Sequence, residues 1–309
     1  MHYHQKTIKQ KVQISGKGLH TNRQIDMTLC PGSINSGIWF LRTDKPGNKP
    51  VKVTSQNVSD TILATTVGQG PESVSTIEHF MSALGCLGIN NLFIEINGPE
   101  TPVFDGSSLP WIELLRNAGL RTLNSLRPYY AVRRPFEMTL GDKMIAMVPD
   151  HELVIDFTID FPGFIQNQRK SFTFTENGFV SDISPARTFC LLSDVEKMQA
   201  AGKALGGGLD NAVVVSGNGI ILNREGLRFP DECVRHKILD FYGDMTLAEA
   251  PILGRFTVVK SGHSLNHKFL ATILNTPGLL ELVTPTRVPG ETYVSLVSPS
   301  PALNAAWAN

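Results

Sequence analysis

Asp231-Glu-Cys-Val-Arg-His-Lys-Ile-Leu-Asp-Phe-Tyr-Gly-Asp244 sets Val234, Ile238, Leu239 and Phe241 at helical spacing. On that helix His236 and Asp240, four residues apart, project from one face, and Asp244 extends the row. Imidazole nitrogen and carboxylate oxygen suit Zn²⁺, whose catalytic sites use three protein ligands and keep a fourth position open. The third ligand must then come from elsewhere in the chain. Spacing alone describes equally well a hydrogen-bonded pair on a solvated helix face.

Outward from this helix the chain reads as two halves with one element order. From Thr7 to about Val67 it alternates in strand fashion, with Val12-Gln-Ile-Ser, Ile25-Asp-Met-Thr-Leu, Gly37-Ile-Trp-Phe-Leu and Val51-Lys-Val-Thr between turn residues. Gly16-Lys-Gly-Leu-His-Thr is expected to be a turn exposing His20. Ile77, Phe80, Met81, Leu84 and Leu87 then trace a helix that Gly85 and Gly88 bring to a stop. A strand, Asn91 to Ile96, and a second helix, Ser108 to Gly119, complete the half. After a polar stretch, Arg121 to Arg127, strands occupy about Tyr129 to Phe174. The His236 helix, the strand Arg255-Phe-Thr-Val-Val259 and a helix after Ser264 follow. The second half carries an insert, Ala186 to Leu222, with a glycine loop. The tail from Ser298 to Asn309 reads as loose.

At 309 residues and 33.8 kDa two domains are the default. The 28 basic residues balance the 28 acidic ones, which gives no footing for a nucleic acid. Cys30, Cys86, Cys190 and Cys233 are widely separated and suggest neither a thiolate site nor a disulfide framework, so a reducing compartment fits. No apolar run is long enough for a membrane span, and the start of the chain lacks a signal-peptide core.

Glu78-His79 opens the first-half helix at the place the His236 helix holds in the other half. Adjacent residues on a helix diverge by about 100°, so one would ligate while the other touches the metal's water. Metal-assisted hydrolysis has that division of labour. Against it, Ser75-x-x-Glu78 matches a capping box, in which the glutamate caps its own helix. Ser261-Gly-His-Ser264 places His263 in a turn at an element end, and His267 one turn on reads as a solvated neighbour. Ala186-Arg-Thr-Phe-Cys190 offers a hydroxyl and a cation, or else a strand edge. Lys237 and Lys260 are candidate phosphate contacts.

Together these segments resemble the UDP-3-O-acyl-N-acetylglucosamine deacetylases, zinc amidases of lipid A biosynthesis. The likeness runs from Gly16-Lys-Gly-Leu-His-Thr, through Ser75-Thr-Ile-Glu-His79, Pro102-Val-Phe-Asp-Gly-Ser107, Ala186-Arg-Thr-Phe189 and Val234-Arg-His-Lys-Ile-Leu-Asp240, to Ser261-Gly-His-Ser-Leu-Asn266. It implies an α+β fold of two similar domains, 1–126 and 127–309, forming a β-α-α-β sandwich with helices between two sheets and a βαβ insert at about 186–222. It implies His79, His236 and Asp240 as zinc ligands and Glu78 as general base. His263 would be the cation at the oxyanion, Asp244 the carboxylate that keeps it charged, and Thr188 an assisting hydroxyl. Lys237 would meet the diphosphate, and Leu19 and Lys260 would also touch substrate. The insert would line the acyl passage through Phe189, Leu191, Leu192, Val195, Leu209, Ala212 and Val214. Relatives often carry an aromatic after the glycines and a glycine after Phe189, where this chain has Leu209 and Cys190.

The expectation is a cytoplasmic, monomeric Zn²⁺ amidase acting on UDP-3-O-acyl-N-acetylglucosamine. A zinc amidohydrolase for another N-acetylated sugar nucleotide, or a sugar-nucleotide binding protein with structural zinc, are its rivals.

Overall fold

The computed structural model describes residues 2–161 and 165–285. The tail from Ser298 onward lies outside them.

Both halves build the same unit. In the first, the strands Ile38–Arg42 and Leu92–Ile96 pair in parallel, and the Glu78–Leu87 helix lies on the crossover between them. In the second, Leu153–Phe161 and Ile252–Val259 pair in parallel, with the Glu232–Met245 helix on the crossover. A tight turn cannot join parallel strands, so each connection has room for a helix. Gln24–Pro31 and Val12–Lys17 extend the first pair on one side and Val51–Lys52 on the other, making five strands. Around the second pair lie Phe136–Leu140, Lys143–Val148, Ile165–Thr173, Tyr129–Val132 and Leu280–Val283, making seven. The fold is mixed α+β.

Every residue of Glu78–Leu87 is buried, which requires neighbours on all sides. Phe80 meets Phe40 of the five-stranded sheet, centroids 6.2 Å apart, and Trp111 of the Leu109–Asn117 helix at 4.7 Å. Another flank of the helix packs on Glu232–Met245. That longer helix in turn rests Phe241 against Phe157 and Phe256 of the seven-stranded sheet. One hydrophobic cluster passes through both sheets and the helices. No helix among the described residues is long and apolar enough to cross a membrane. All four cysteines are free.

The two helices touch through glycine. A Cβ on Gly243 would collide with the backbone carbonyl of Glu78. Alanine is the better helix former by about 1 kcal/mol, but a backbone cannot step aside as a flexible side chain can, so the clash decides the sign. Gly243→Ala is expected to destabilise by about 1–3 kcal/mol. A lower urea midpoint is the readout, and an unchanged or raised one would mean the helices separate freely.

The insert forms a small βαβ unit. Phe189–Leu191 and Val213–Val215 pair in parallel around the Leu192–Ala200 helix, none of whose residues is buried. Two sequence expectations fail. The polar stretch 121–127 is for the most part a strand, Leu120–Leu126, because its backbone pairs antiparallel with His4–Ile8 and leaves the polar side chains outward. His20 is buried rather than exposed: its main-chain N–H donates to Glu100 Oε2 at 2.9 Å, and its Nδ1 accepts from Ala204 N at 3.3 Å.

Candidate metal centre and active site

The first turn of Glu78–Leu87 delivers Glu78 and His79, and the middle of Glu232–Met245 delivers His236 and Asp240. His236 Nε2 lies 3.2 Å and His79 Nε2 3.5 Å from Asp240 Oδ1, with the two rings edge to face at 4.9 Å. One ligand atom from each of the three residues falls within 4.8 Å of the others, and all three residues are buried.

The hydrogen bonds decide what this cluster can hold. His236 Nδ1 donates to the Ala186 carbonyl at 3.0 Å, so the neutral ring turns a lone pair, not a proton, toward Asp240. Burial lowers the His236 pKa, against the pull of Asp240, and keeps the ring neutral. Burial also presses upward on Asp240, but His236 and the Lys237 ammonium outweigh it and hold the carboxyl well below its usual value. Lys237 Nζ donates to Asp240 Oδ2 at 2.7 Å, while the buried Oδ1 accepts from no donor. Acceptors converging without a donor repel one another unless a cation sits among them. Two nitrogens and one carboxylate oxygen form a donor set compatible with zinc, and the set leaves a position open.

A second network stands beside the first. Glu78 Oε2 accepts from Thr65 N at 3.0 Å, and Oε1 lies 3.9 Å from His263 Nε2. Burial raises the Glu78 pKa, with the charge on His263 the main opposing pull. Asp244 Oδ2 accepts from His263 Nδ1 at 2.9 Å and from Asn266 Nδ2 at 2.8 Å, and its Oδ1 accepts from Thr65 Oγ1 at 2.6 Å. Ser261 Oγ donates to Asn266 Oδ1 at 2.6 Å, which fixes the amide that holds Asp244. Burial alone would discharge His263, but Asp244 and Glu78 outweigh it and push the imidazole up to about 9. His263 is the first residue of the His263–Asn275 helix, not a free turn residue.

The capping box does not form. Glu78 is itself the first helical residue, the Ile77 N-cap has no side-chain bond, and Ser75 Oγ accepts from Thr66 Oγ1 instead. The Glu78 carboxylate is thereby left for the site. Thr65 and Asn266 went unmarked in the sequence. Neither belongs to an apolar period or a ligand spacing, and only the fold brings Thr65 against residues 179 and 198 positions away.

Thr188 sits on backbone bonds to Gly106 and Val213, two residues after the Ala186 carbonyl that orients His236. Arg187, offered as a free cation, is committed: it is buried and bonded to Glu232 at 2.9 Å and Glu225 at 2.6 Å. The Phe189 ring lies 6.3 Å from that of His236, and Lys237 Nζ stands 5.7 Å over it. Leu19 joins the insert through its carbonyl, which accepts from Gly206 N at 2.9 Å. Ala212 and Val214 are buried, Val195 is half-buried, and Leu192 and Leu209 are exposed. Lys260 bonds to Asp142 and Asp160, at 3.2 and 3.1 Å. His267 meets the Ser55 carbonyl at 3.0 Å and is not simply solvated.

A buried carboxylate and an imidazole held charged, beside a cluster compatible with a metal ion, are the kinds of group that metal-assisted hydrolysis uses. Comparison with known proteins gives the particular family. The model described as UDP-3-O-acyl N-acetylglycosamine deacetylase matches residues 5–275. The UDP-3-O-acyl-N-acetylglucosamine deacetylase of Geotalea uraniireducens (strain Rf4) is 43% identical over 296 residues, which cover 94% of this chain and 96% of the relative. The protein of the same name from Anaeromyxobacter sp. (strain Fw109-5) is 41% identical, covering 96% and 98%. That of Syntrophotalea carbinolica is 44% identical, covering 91% of each. The chain belongs to the UDP-3-O-acyl-N-acetylglucosamine deacetylase family.

Proposed function

We propose that this protein hydrolyses the 2-acetamido group of UDP-3-O-(3-hydroxyacyl)-N-acetylglucosamine in a zinc-dependent reaction that releases acetate, the committed step of lipid A biosynthesis. The observation that carries the reading is the undonated Asp240 Oδ1 facing two imidazole nitrogens, with Glu78 next in sequence to one of them.

His79, His236 and Asp240 would hold the ion, which when bound supplies Lewis-acid polarisation of the amide carbonyl and a more acidic water. Glu78 takes the proton of the attacking water on Oε1, since Thr65 N already occupies Oε2. The raised carboxyl pKa favours uptake of that proton, and the leaving amine, more basic than any carboxylate, then takes it from Glu78. His263, kept charged by Asp244, stabilises the oxyanion from Nε2, assisted by the Thr188 hydroxyl. Lys237 beside Phe189 is placed for the diphosphate, with Lys260 and Leu19 as further contacts. The insert lines the acyl chain. The matching strand–helix–strand units support two similar domains, 1–126 and 127–309, with their helices sandwiched between the sheets. Free cysteines fit a cytoplasmic enzyme.

The test is acetate release from the acylated UDP sugar by protein stripped of metal and then given one equivalent of Zn²⁺. Activity should return with zinc and fall when the 3-O-acyl chain is omitted. Zinc and sugar-nucleotide binding without acetate would overturn the reading, and equal rates without the acyl chain would remove the lipid specificity.

The alkaline limb follows from His263. Its raised pKa means the cation persists through neutrality and is lost as pH rises through about 9. Asp244→Asn removes the main carboxylate holding it up. The alkaline limb of kcat/KM should therefore move to lower pH by about one unit or more. A limb that stays in place would assign it to another group.

A further inference from the structure

The geometry points to a second binding site: a cavity between the two halves, floored by Arg127, that takes a small monoanion with a compact apolar body. The cavity is about 190 Å³, and its walls include Ile38, Met81 and Leu84 from one half and Ile155, Phe241 and Met245 from the other. It lies toward the C-terminal ends of the two helices whose earlier residues form the metal cluster.

Arg127 makes this cavity more than a packing gap. The residue is 6% exposed, and its Nε is buried without a hydrogen-bond partner. Among the described residues no carboxylate offsets its charge. The compensation it has comes from the tyrosines: its guanidinium lies 5.9 Å from the Tyr129 ring centroid. Buried charges are ordinarily paired, because desolvation leaves an isolated one uncompensated. The other charged pair on the lining, Lys52 with Glu249, neutralises itself and is partly exposed. His2 and Lys6 feel the positive charge of Arg127, and the nearby Glu176 is already shared between His2 and Arg116. The lining thus presents one unanswered positive charge among apolar side chains and the neutral amides of Gln5, Asn35, Asn90 and Asn91.

Size sets the apolar part. A buried apolar cavity of about 150 Å³ accommodates benzene, so this one has room for a ring or short branched chain with a carboxylate directed at Arg127. A charge-assisted bond to a desolvated guanidinium would distinguish that anion from its neutral isostere by about tenfold or more.

Benzoate and benzyl alcohol are suitable probes, titrated into the zinc-loaded full chain carrying ¹³C-methyl methionine, since Met81 and Met245 line the cavity. Benzoate should shift both methyl signals saturably, with benzyl alcohol at least about tenfold weaker. Arg127→Gln should raise the benzoate Kd by about tenfold while Arg127→Lys retains part of the affinity. Ala250 also lines the cavity, and Ala250→Leu, which keeps the arginine and narrows the space, must also weaken binding; it serves in addition if Arg127→Gln fails to fold. Absence of saturable shifts at the two methionines in the wild type would overturn the site. So would equal affinity for the two probes, or benzoate affinity unchanged in Ala250→Leu.

Discussion

Glu78→Gln is expected to lower kcat by about 10²–10⁴ while zinc still binds with a stoichiometry near one. Glutamine keeps the volume, and its carbonyl oxygen can still accept from Thr65 N, so the local backbone has no reason to move. What is lost is the acceptor that takes a proton from water and returns it to the amine. The metal cluster does not contain Glu78, so metal content and turnover should separate. His263 loses one of the carboxylates that raise its pKa, so residual activity should also have an earlier alkaline limb. A variant with near wild-type kcat would remove Glu78 from the chemistry. One that has lost its zinc would make it structural.

Asp240→Asn should separate the same quantities the other way, with zinc affinity falling by more than about 10²-fold and acetate release falling with it. Changes in groups that only orient ligands already cost about 10–100-fold, and Asp240 is the sole anionic member of the cluster. The amide retains an acceptor for Lys237 Nζ, whereas Asp240→Ala would strand that ammonium in a partly buried position. Asp240→Ala should therefore be the less stable of the two, although both lose the metal. Zinc titration by competition with a chromogenic chelator, beside thermal unfolding of metal-free protein, resolves the two effects. Wild-type zinc affinity in Asp240→Asn would show that the cluster is held by hydrogen bonds alone.

What the sequence could reveal follows the range of each interaction. The helix around His236 was legible because its apolar period and the four-residue spacing to Asp240 are local, and both are properties of one turn of backbone. The strand–helix–strand order of each half was legible for the same reason. The pairing of the two units was not, because it depends on Gly243 meeting the Glu78 carbonyl, a contact with no trace in either segment. Glu78 was ambiguous because a capping box and a catalytic carboxylate share one local pattern. Thr66 removes the first of these readings by engaging Ser75, from nine residues away. The polar stretch Arg121 to Arg127 conceals the strand Leu120–Leu126 because the pairing partner, His4–Ile8, lies at the other end of the half. Thr65 left no signal, since its role consists wholly of distant partners.

The division of the cluster between two strand–helix–strand units also sets an order of events during synthesis. About 160 residues separate His79 from Asp240, so a ribosome working at 5–20 residues per second needs roughly 8–32 s to pass from one to the other. Until His236 is added, four residues before Asp240, the nascent chain can fold around Glu78–Leu87 but carries only one of the three clustered residues. The closing strand, Ile252–Val259, emerges later still. An ion held by these three residues would consequently be bound late, by chains whose second half has already docked, and a truncated product could not hold it through all three.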